Sequence, residues 1–193
     1  LSDGRDVFDN KDGTFNGTVY GGSGDDDYSI GKDNYKIFDV SGVDTVYLFR
    51  GFYKAHSGIE NITISLDRGT TVVGNNLANR LTGANGDDVL KGGRGDDTIN
   101  GWIGNDTLVG GGGVDIFQFD TSLKGKDVVA DFKQGQDIIE FYSGGMITTF
   151  DQIRALAKNK GDDVVLTASK DHSLTIEGLH VKDLAVGDFD IMM

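Results

Sequence analysis

At nine-residue intervals, five times in succession, an Asn or Asp stands two residues ahead of an apolar residue: Asn79 before Leu81, Asp88 before Leu90, Asp97 before Ile99, Asp106 before Leu108 and Asp115 before Phe117. Carboxylate and amide side chains are oxygen donors, and calcium takes oxygen ligands at roughly 2.3–2.6 Å. Magnesium prefers a tighter octahedron and transition metals prefer His or Cys, so an evenly spaced set of oxygens points to calcium.

Stepping the donors by nine requires an element of that period. The units read GANGDDVLK from Gly83, GGRGDDTIN from Gly92, GWIGNDTLV from Gly101 and GGGGVDIFQ from Gly110, after a degenerate opener GNNLANRLT from Gly74. Gly86, Gly95, Gly104 and Gly113 hold the fourth place. Six residues rich in Gly and Asn can reach positive φ and turn sharply, and the three that follow suit a short strand. Turn, strand, turn, strand makes a flattened coil with two strands per circuit. Units eighteen residues apart then lie one above the other at about 4.8 Å, the spacing of neighbouring strands. Asp88 stacks under Asp106, Asp97 under Asp115 and Asn79 under Asp97. Carboxylates that close repel unless a cation lies between them, and carbonyls of the glycine-rich turns can supply the remaining oxygens.

A weaker repeat precedes this block, with GGSGDDDYS from Gly21 and GVDTV from Gly42. Asp26 and Asp44 are again eighteen apart, as are Gly24 and Gly42, so one calcium ion could serve both. The register is one residue out of phase with the main block, which predicts an insertion or bulge between them.

These units resemble the G-G-x-G-x-D-x-U-x nonapeptide of the RTX (repeats-in-toxin, haemolysin-type calcium-binding) family. The resemblance implies an all-β fold, a parallel β-roll or calcium-binding β-helix solenoid, in a protein exported by type I secretion. A β-rich cap with one short helix should close its carboxyl-terminal end. The implied ligands are Asp88, Asp97, Asp106 and Asp115, then Asp26 and Asp44, then Asn79, with several calcium ions bound among the turns.

Three segments are expected: a divergent strand region over 1–73, the main roll over 74–120, and a cap with a secretion-signal region over 121–193. Leu81, Leu90, Ile99, Leu108 and Phe117 should point inward, with Phe117 and Phe119 closing the end of a thin core. DVVADFKQGQDIIEF, from Asp127 to Phe141, resembles the segment after the repeats in serralysin-type domains, and Asp127 and Asp137 are either further ligands or turn formers. Thr149 can cap a helix from Phe150 to about Asn159, stopped by Gly161. DVVLTA from Asp163 and SLTIEG from Ser173 read as a strand pair. The final DFDIMM resembles the extreme carboxyl terminus of type I secretion substrates.

Composition agrees. Lys plus Arg number 18 against 31 Asp plus Glu, for a net charge of −13, and 30 of 193 residues are Gly. Such a chain repels itself without cations and lacks the basic patch that nucleic acid or an anionic membrane requires. No apolar run approaches the roughly 20 residues of a membrane span. Cysteine is absent, so calcium would do the stapling that disulfides do elsewhere. Extracellular calcium modules bind at roughly 0.1–1 mM, which predicts a site filled outside the cell, and hence a secreted, extracellular domain. A coil this thin should fold only with its ions. A chain starting at Leu1 without Met reads as a fragment, with an upstream domain of the same polypeptide as its partner, beside the type I secretion apparatus.

Catalysis finds little support. His56, His172 and His180 form no H-E-x-x-H pair and read as surface or loop residues, and nothing sets two of Glu60, Glu140 and Glu177 at a glycosidase separation. The rival reading is a carbohydrate-binding or adhesion module attached to a polysaccharide-modifying enzyme or adhesin. Trp102 takes a place where Gly is usual, and FRGFY groups Phe49, Phe52 and Tyr53 with Arg50. Exposed aromatics stack on sugar rings and Arg holds acidic polysaccharide; otherwise these residues simply cover a neighbouring turn and pack at the roll's edge.

Overall fold

A turn that needs glycine and a strand that buries its middle residue alternate along the chain. In Thr98–Asn100, Ile99 is fully buried between two half-buried neighbours. The computed structural model describes residues 3–13, 15, 17–31 and 35–192. Its strands in chain order are β1 (Val7–Asn10), β2 (Gly17–Tyr20), β3 (Asp27–Ile30), β4 (Tyr35–Phe38), β5 (Thr45–Leu48), β6 (Phe52–Lys54) and β7 (Asn61–Ile64). The repeat block contributes β8 (Thr71–Val73), β9 (Arg80–Thr82), β10 (Val89–Arg94), β11 (Thr98–Asn100), β12 (Thr107–Gly112) and β13 (Ile116–Asp120). Then come β14 (Gly125–Val129), β15 (Ile138–Tyr142), helix α1 (Phe150–Leu156), β16 (Ala157–Lys160), β17 (Asp163–Ser169), β18 (His172–Ile176) and β19 (Phe189–Met192).

Along the coil, odd and even strands separate onto two faces, and β17 of the cap joins the even ones. One sheet has nine strands in the order β1-β3-β5-β7-β9-β11-β13-β15-β19, and the other has eight in the order β16-β17-β18-β14-β12-β10-β8-β6, with β2 and β4 as a separate pair. The result is an all-β parallel solenoid of about seven turns. Pairing follows the eighteen-residue circuit: Leu81 lies beside Ile99 and Ile99 beside Phe117 on one face, and Val72, Leu90 and Leu108 align on the other. These inward residues are all buried, as their period predicts. Each contributes on the order of 1.5–3 kcal/mol by leaving water. The nine-stranded sheet passes without a break through all three segments that composition distinguishes.

The phase change between the two repeat blocks sits in the turns. Thr45 pairs with Asn61, sixteen residues on, and Asn61 with Arg80, nineteen on, so two circuits together fall one residue short. Both ladders run in unbroken register, so a short turn and a long turn replace the expected bulge or insertion.

The cap departs from expectation in three places. Helix α1 begins at Thr149, whose amide donates to Gln152 Oε1 at 3.1 Å, but it ends at Leu156. Residues 157–160 instead pair antiparallel with β17, and Asn159 accepts the Val181 amide at 2.8 Å, so an exposed stretch with little to bury gains partners in an extended form. Gly161, at φ 67°, turns this hairpin and does not stop the helix. Phe117 and Phe119 do not end the core, because β15 and β19 follow; Phe119 packs on Phe141 with ring centres 5.3 Å apart. The strand pair β17–β18 forms as read. The tail residues Phe189–Met192 are a parallel strand beside β15, whereas Met193 lies outside the described residues.

Candidate metal centre

Because the chain crosses between faces at fixed places, the turns stack in two columns. In one column the residue that ends each turn is Asp26, Asp44, Glu60, Asn79, Asp97, Asp115 and Asp137; in the other it is Thr70, Asp88, Asp106 and Asp127. All but Glu60 are buried. Burial of a carboxylate demands hydrogen bonds or a cation.

One oxygen of each acid is satisfied by the coil before it. Asp26 N–H donates to Asp44 Oδ1 at 2.8 Å, Asn79 N–H to Asp97 Oδ1 at 2.7 Å, and Asp97 N–H to Asp115 Oδ1 at 3.0 Å. In the second column Thr70 N–H donates to Asp88 Oδ1 at 2.7 Å, Asp88 N–H to Asp106 Oδ1 at 2.8 Å and Asp106 N–H to Asp127 Oδ1 at 3.1 Å. Glu60 takes the Asp44 amide at 2.9 Å and so keeps the first column continuous where the coil is short.

The second oxygen is different. Oδ2 of Asp44, Asp97, Asp106 and Asp115 is buried with no hydrogen-bond partner among the described residues. Burial, the largest cause, raises their proton affinity: Asp97 and Asp44 are pushed up to about 7 and Asp106 to about 8, with Asp115 and Asp88 shifted the same way. Nearby carboxylates add to the rise, Asp115 at Asp97 and Asp127 at Asp106.

Glycine shapes the floor of each turn. A Cβ on Gly92, Gly101 or Gly110, each first in its unit, would strike Oδ2 of Asp97, Asp106 or Asp115 respectively. In the fourth place, Gly24, Gly42, Gly86, Gly95, Gly104 and Gly113 all have φ between 100° and 148°, a region closed to other side chains. A Cβ on Gly42, Gly104 or Gly113 would also meet the carbonyl oxygen of Gly24, Gly86 or Gly95 one coil earlier. Buried, unpartnered carboxylate oxygens in a turn that leaves room only for backbone fit a hard, oxygen-seeking divalent cation of calcium's kind. Such an ion would cancel the charge that burial makes unfavourable.

Some sites close without an ion. Asn79 donates through Nδ2 to Ile59 O at 2.8 Å and Glu60 O at 3.3 Å, and its Oδ1 accepts the Asn75 amide at 2.8 Å. Its amide group stands where the turns of Asp44, Asp97, Asp106 and Asp115 hold a bare carboxylate oxygen. Asp127 and Asp137 continue the ladders, but both oxygens of Asp137 are taken, by the Asp115 amide at 3.1 Å and the Lys133 amide at 2.8 Å. In that last turn Lys133 Nζ donates to Gly111 O and Gln136 Nε2 to Gly113 O. Asp131 accepts the Gly110 and Gly111 amides at 2.8 and 2.9 Å. Asp127 is met by His172, whose Nε2 is 3.7 Å from Oδ2. His172 is buried against Phe119, contrary to its reading as a surface residue, because β18 inserts beside β14.

Several contributors escape a search for one Asp per unit. Asp25, Asp87 and Asp96 accept the amides of Val43, Asn105 and Val114 in the following coil, each at 2.8 Å, opposite in direction to the buried ladder. The Gly-Asp-Asp doublets were their signal. Asp39 joins Asp26 and Asp44, the three offering oxygens within 4.8 Å of one another. Aligning its unit with the consensus would have found it, since Asp39 stands in the first place. The aromatic set does not form one surface: Tyr53 is buried, Phe52 is exposed and Lys11 lies over the Phe49 ring at 5.7 Å. Trp102 does project, 46% exposed, and is the one non-glycine residue with positive φ among those described.

Comparison with known proteins agrees with this geometry. Residues 73–117 match the model of the RTX calcium-binding nonapeptide repeat in four copies. The fold is similar to the solution structure of the AlgE6R3 subunit of the Azotobacter vinelandii mannuronan C5-epimerase, at 25% identity and a TM-score of 0.50, covering 64% of this chain and 78% of that one. The extracellular lipase LipA from Serratia marcescens aligns at 18% identity and a TM-score of 0.43, with 96% of this chain covering 38% of that one. No curated protein sequence matches the chain. The protein is therefore a parallel β-roll built on RTX calcium-binding repeats.

Proposed function

We infer that this chain is the calcium-folded domain of a secreted bacterial protein, non-catalytic in itself, that supports type I export and the folding of an attached domain. The observation that carries this is the run of buried, unpartnered Oδ2 atoms at Asp97, Asp106 and Asp115, on three successive turns. Without cations these charges oppose the fold, and with calcium they hold it, so folding is coupled to the ion's concentration. The ligands are Asp97, Asp106, Asp115 and Asp88 in the main roll and Asp26 and Asp44 before it; the hydrogen bonds of Asn79 argue against it as a ligand, and Oδ2 of Asp88 must exchange the Ala84 amide at 3.1 Å for the ion. A domain unfolded at cytosolic calcium and folded outside suits passage through an export channel. The test is far-ultraviolet circular dichroism after chelation, titrated with calcium and separately with magnesium. A cooperative gain of β signal with calcium alone supports the reading, and full β structure in chelator overturns it.

A second reading, a module that binds polysaccharide, is favoured by Trp102. Its φ of 71° costs on the order of 1–2 kcal/mol for a non-glycine residue, and strain kept at an exposed aromatic points to use. The AlgE6R3 subunit belongs to a polysaccharide-modifying epimerase, the class of enzyme this reading attaches upstream. Loss of oligosaccharide binding in Trp102→Ala supports it; absence of glycan binding by the unmutated domain leaves the export and folding role alone.

A further inference from the structure

The turn that precedes β5 departs from the regular turns in its column. Its first residue is Asp39 where the regular units have Gly. One coil earlier Gly21 keeps the glycine, and a Cβ placed there would strike Asp39 Oδ2 and Tyr28 Oη and lie 2.8 Å from Asp26 Oδ2. Two carboxylate oxygens and a phenol thus converge on one backbone position. Asp44 completes the group: it is fully buried, its Oδ1 holds the Asp26 amide at 2.8 Å, and its Oδ2 has no partner among the described residues. The Tyr28 hydroxyl sits 2.5 Å from Asp39 Oδ2 and 3.3 Å from Asp26 Oδ2. The charged groups that bear on Asp44 are Asp39, Glu60 and Asp26, all acidic.

We propose that Asp26, Asp39 and Asp44 form a three-carboxylate cation site that differs in kind from the regular turns and favours ions of higher charge. It deepens the calcium reading, on which its setting rests. The regular turns offer one carboxylate from each of two stacked units, so a divalent ion leaves them neutral. Here a divalent ion leaves one negative charge and a trivalent ion leaves none. Ligand charge is a main determinant of affinity at oxygen sites, so this site fills with calcium before the regular turns and takes a trivalent lanthanide more tightly still. Tyr28 is a positioning residue: its hydroxyl donates to Asp39 and holds that carboxylate over Gly21. The same ring, at hydrogen-bond distance from two ligands, is an antenna for a luminescent lanthanide.

The experiment titrates terbium into the chain carrying Trp102→Phe, which removes the competing indole, and follows emission excited through tyrosine. Emission should saturate near one equivalent. Tyr28→Phe should remove most of it without changing the stoichiometry seen by calorimetry. Asp39→Asn, which keeps size and a hydrogen-bond acceptor, and Asp39→Gly, which restores the repeat, should each weaken the first terbium by about tenfold or more. Both should leave the calcium-induced β signal of the main roll in place, which separates loss of this site from loss of fold. Unchanged first-equivalent affinity in both Asp39 variants would overturn the proposal. A chain whose β signal ignores calcium, yet whose terbium affinity depends on Asp39, would overturn the calcium-folding reading and keep this site.

Discussion

The backbone amide of Asp88 donates to Oδ1 of Asp106, 2.8 Å away and one full coil later in the chain. The same carboxylate leaves Oδ2 bare and buried. Asp106 therefore has two separable roles, a hydrogen-bond acceptor for the coil before it and an oxygen donor for an ion.

Two substitutions at Asp106 pull these roles apart. Asp106→Asn keeps an acceptor for the Asp88 amide and loses an oxygen for the ion, so the ladder stays intact while the calcium midpoint rises. Asp106→Ala also strands a buried amide, at a further cost of about 1–3 kcal/mol. Calcium titration of the β signal and urea unfolding in saturating calcium measure both; equal behaviour of the two variants would contradict the division.

The dependence on pH changes sign with calcium. Burial raises Asp97 and Asp44 to about 7 and Asp106 to about 8, above the roughly 3.9 of an unfolded chain. The ion-free fold binds these protons more strongly than the unfolded chain does. Its stability from them is fully present below the unfolded value and is lost as pH rises from about 4 through 7 to 8. Calcium holds these acids ionised in the fold, as they already are in the unfolded chain above about pH 5, so calcium-coupled folding weakens as pH falls through the unfolded value. Calcium titrations of the β signal should show a higher midpoint at about pH 4 than at about pH 6, and nearly equal midpoints at about pH 6 and about pH 8.

Glycine at the first place of a unit is required by the carboxylate it faces. Gly101→Ala sets a Cβ against the Asp106 carboxylate and should raise the calcium midpoint and lower the melting temperature. Gly112→Ala meets nothing within 4 Å and should change stability by no more than about 0.5 kcal/mol. Thermal melts of both in calcium make the comparison, and similar losses at the two positions would be the contrary result.

Lys133 supplies a cation of its own. Its ammonium group reaches Gly111 O and lowers the proton affinity of Asp115 against the effect of burial there. Lys133→Met should destabilise the calcium-bound domain by about 1–3 kcal/mol through the bared carbonyl. Equal urea midpoints in saturating calcium for the variant and the parent would remove Lys133 from this role.

The two-strand circuit and the stacking of Asp88 with Asp106 were legible because an eighteen-residue repeat of turn formers and apolar residues admits few other folds. The residues that modify the repeat were harder to read. Asp39 and Tyr28 become partners only when a coil closes, and a search keyed to one Asp per unit passes over an acid in the glycine place. Asn79 matched the pattern, but whether an amide binds an ion or replaces it depends on the carbonyls of Ile59 and Glu60, which belong to an irregular coil. Periodicity favours a helix through Asn159, but α1 ends at Leu156 because the open edge of β17 offers residues 157–160 better partners.

Asn79 also divides the molecule. Its side-chain amide ties its own turn to the carbonyls of Ile59 and Glu60 one coil earlier, so the acids before it, Asp26 to Glu60, and those after it, Asp97 and Asp115, do not face one another across a shared ion. Charge neutralised on one side is weakly felt on the other. The roll should then hold two sets of calcium sites of separate affinity in this column, joined by one continuous core that folds as a unit.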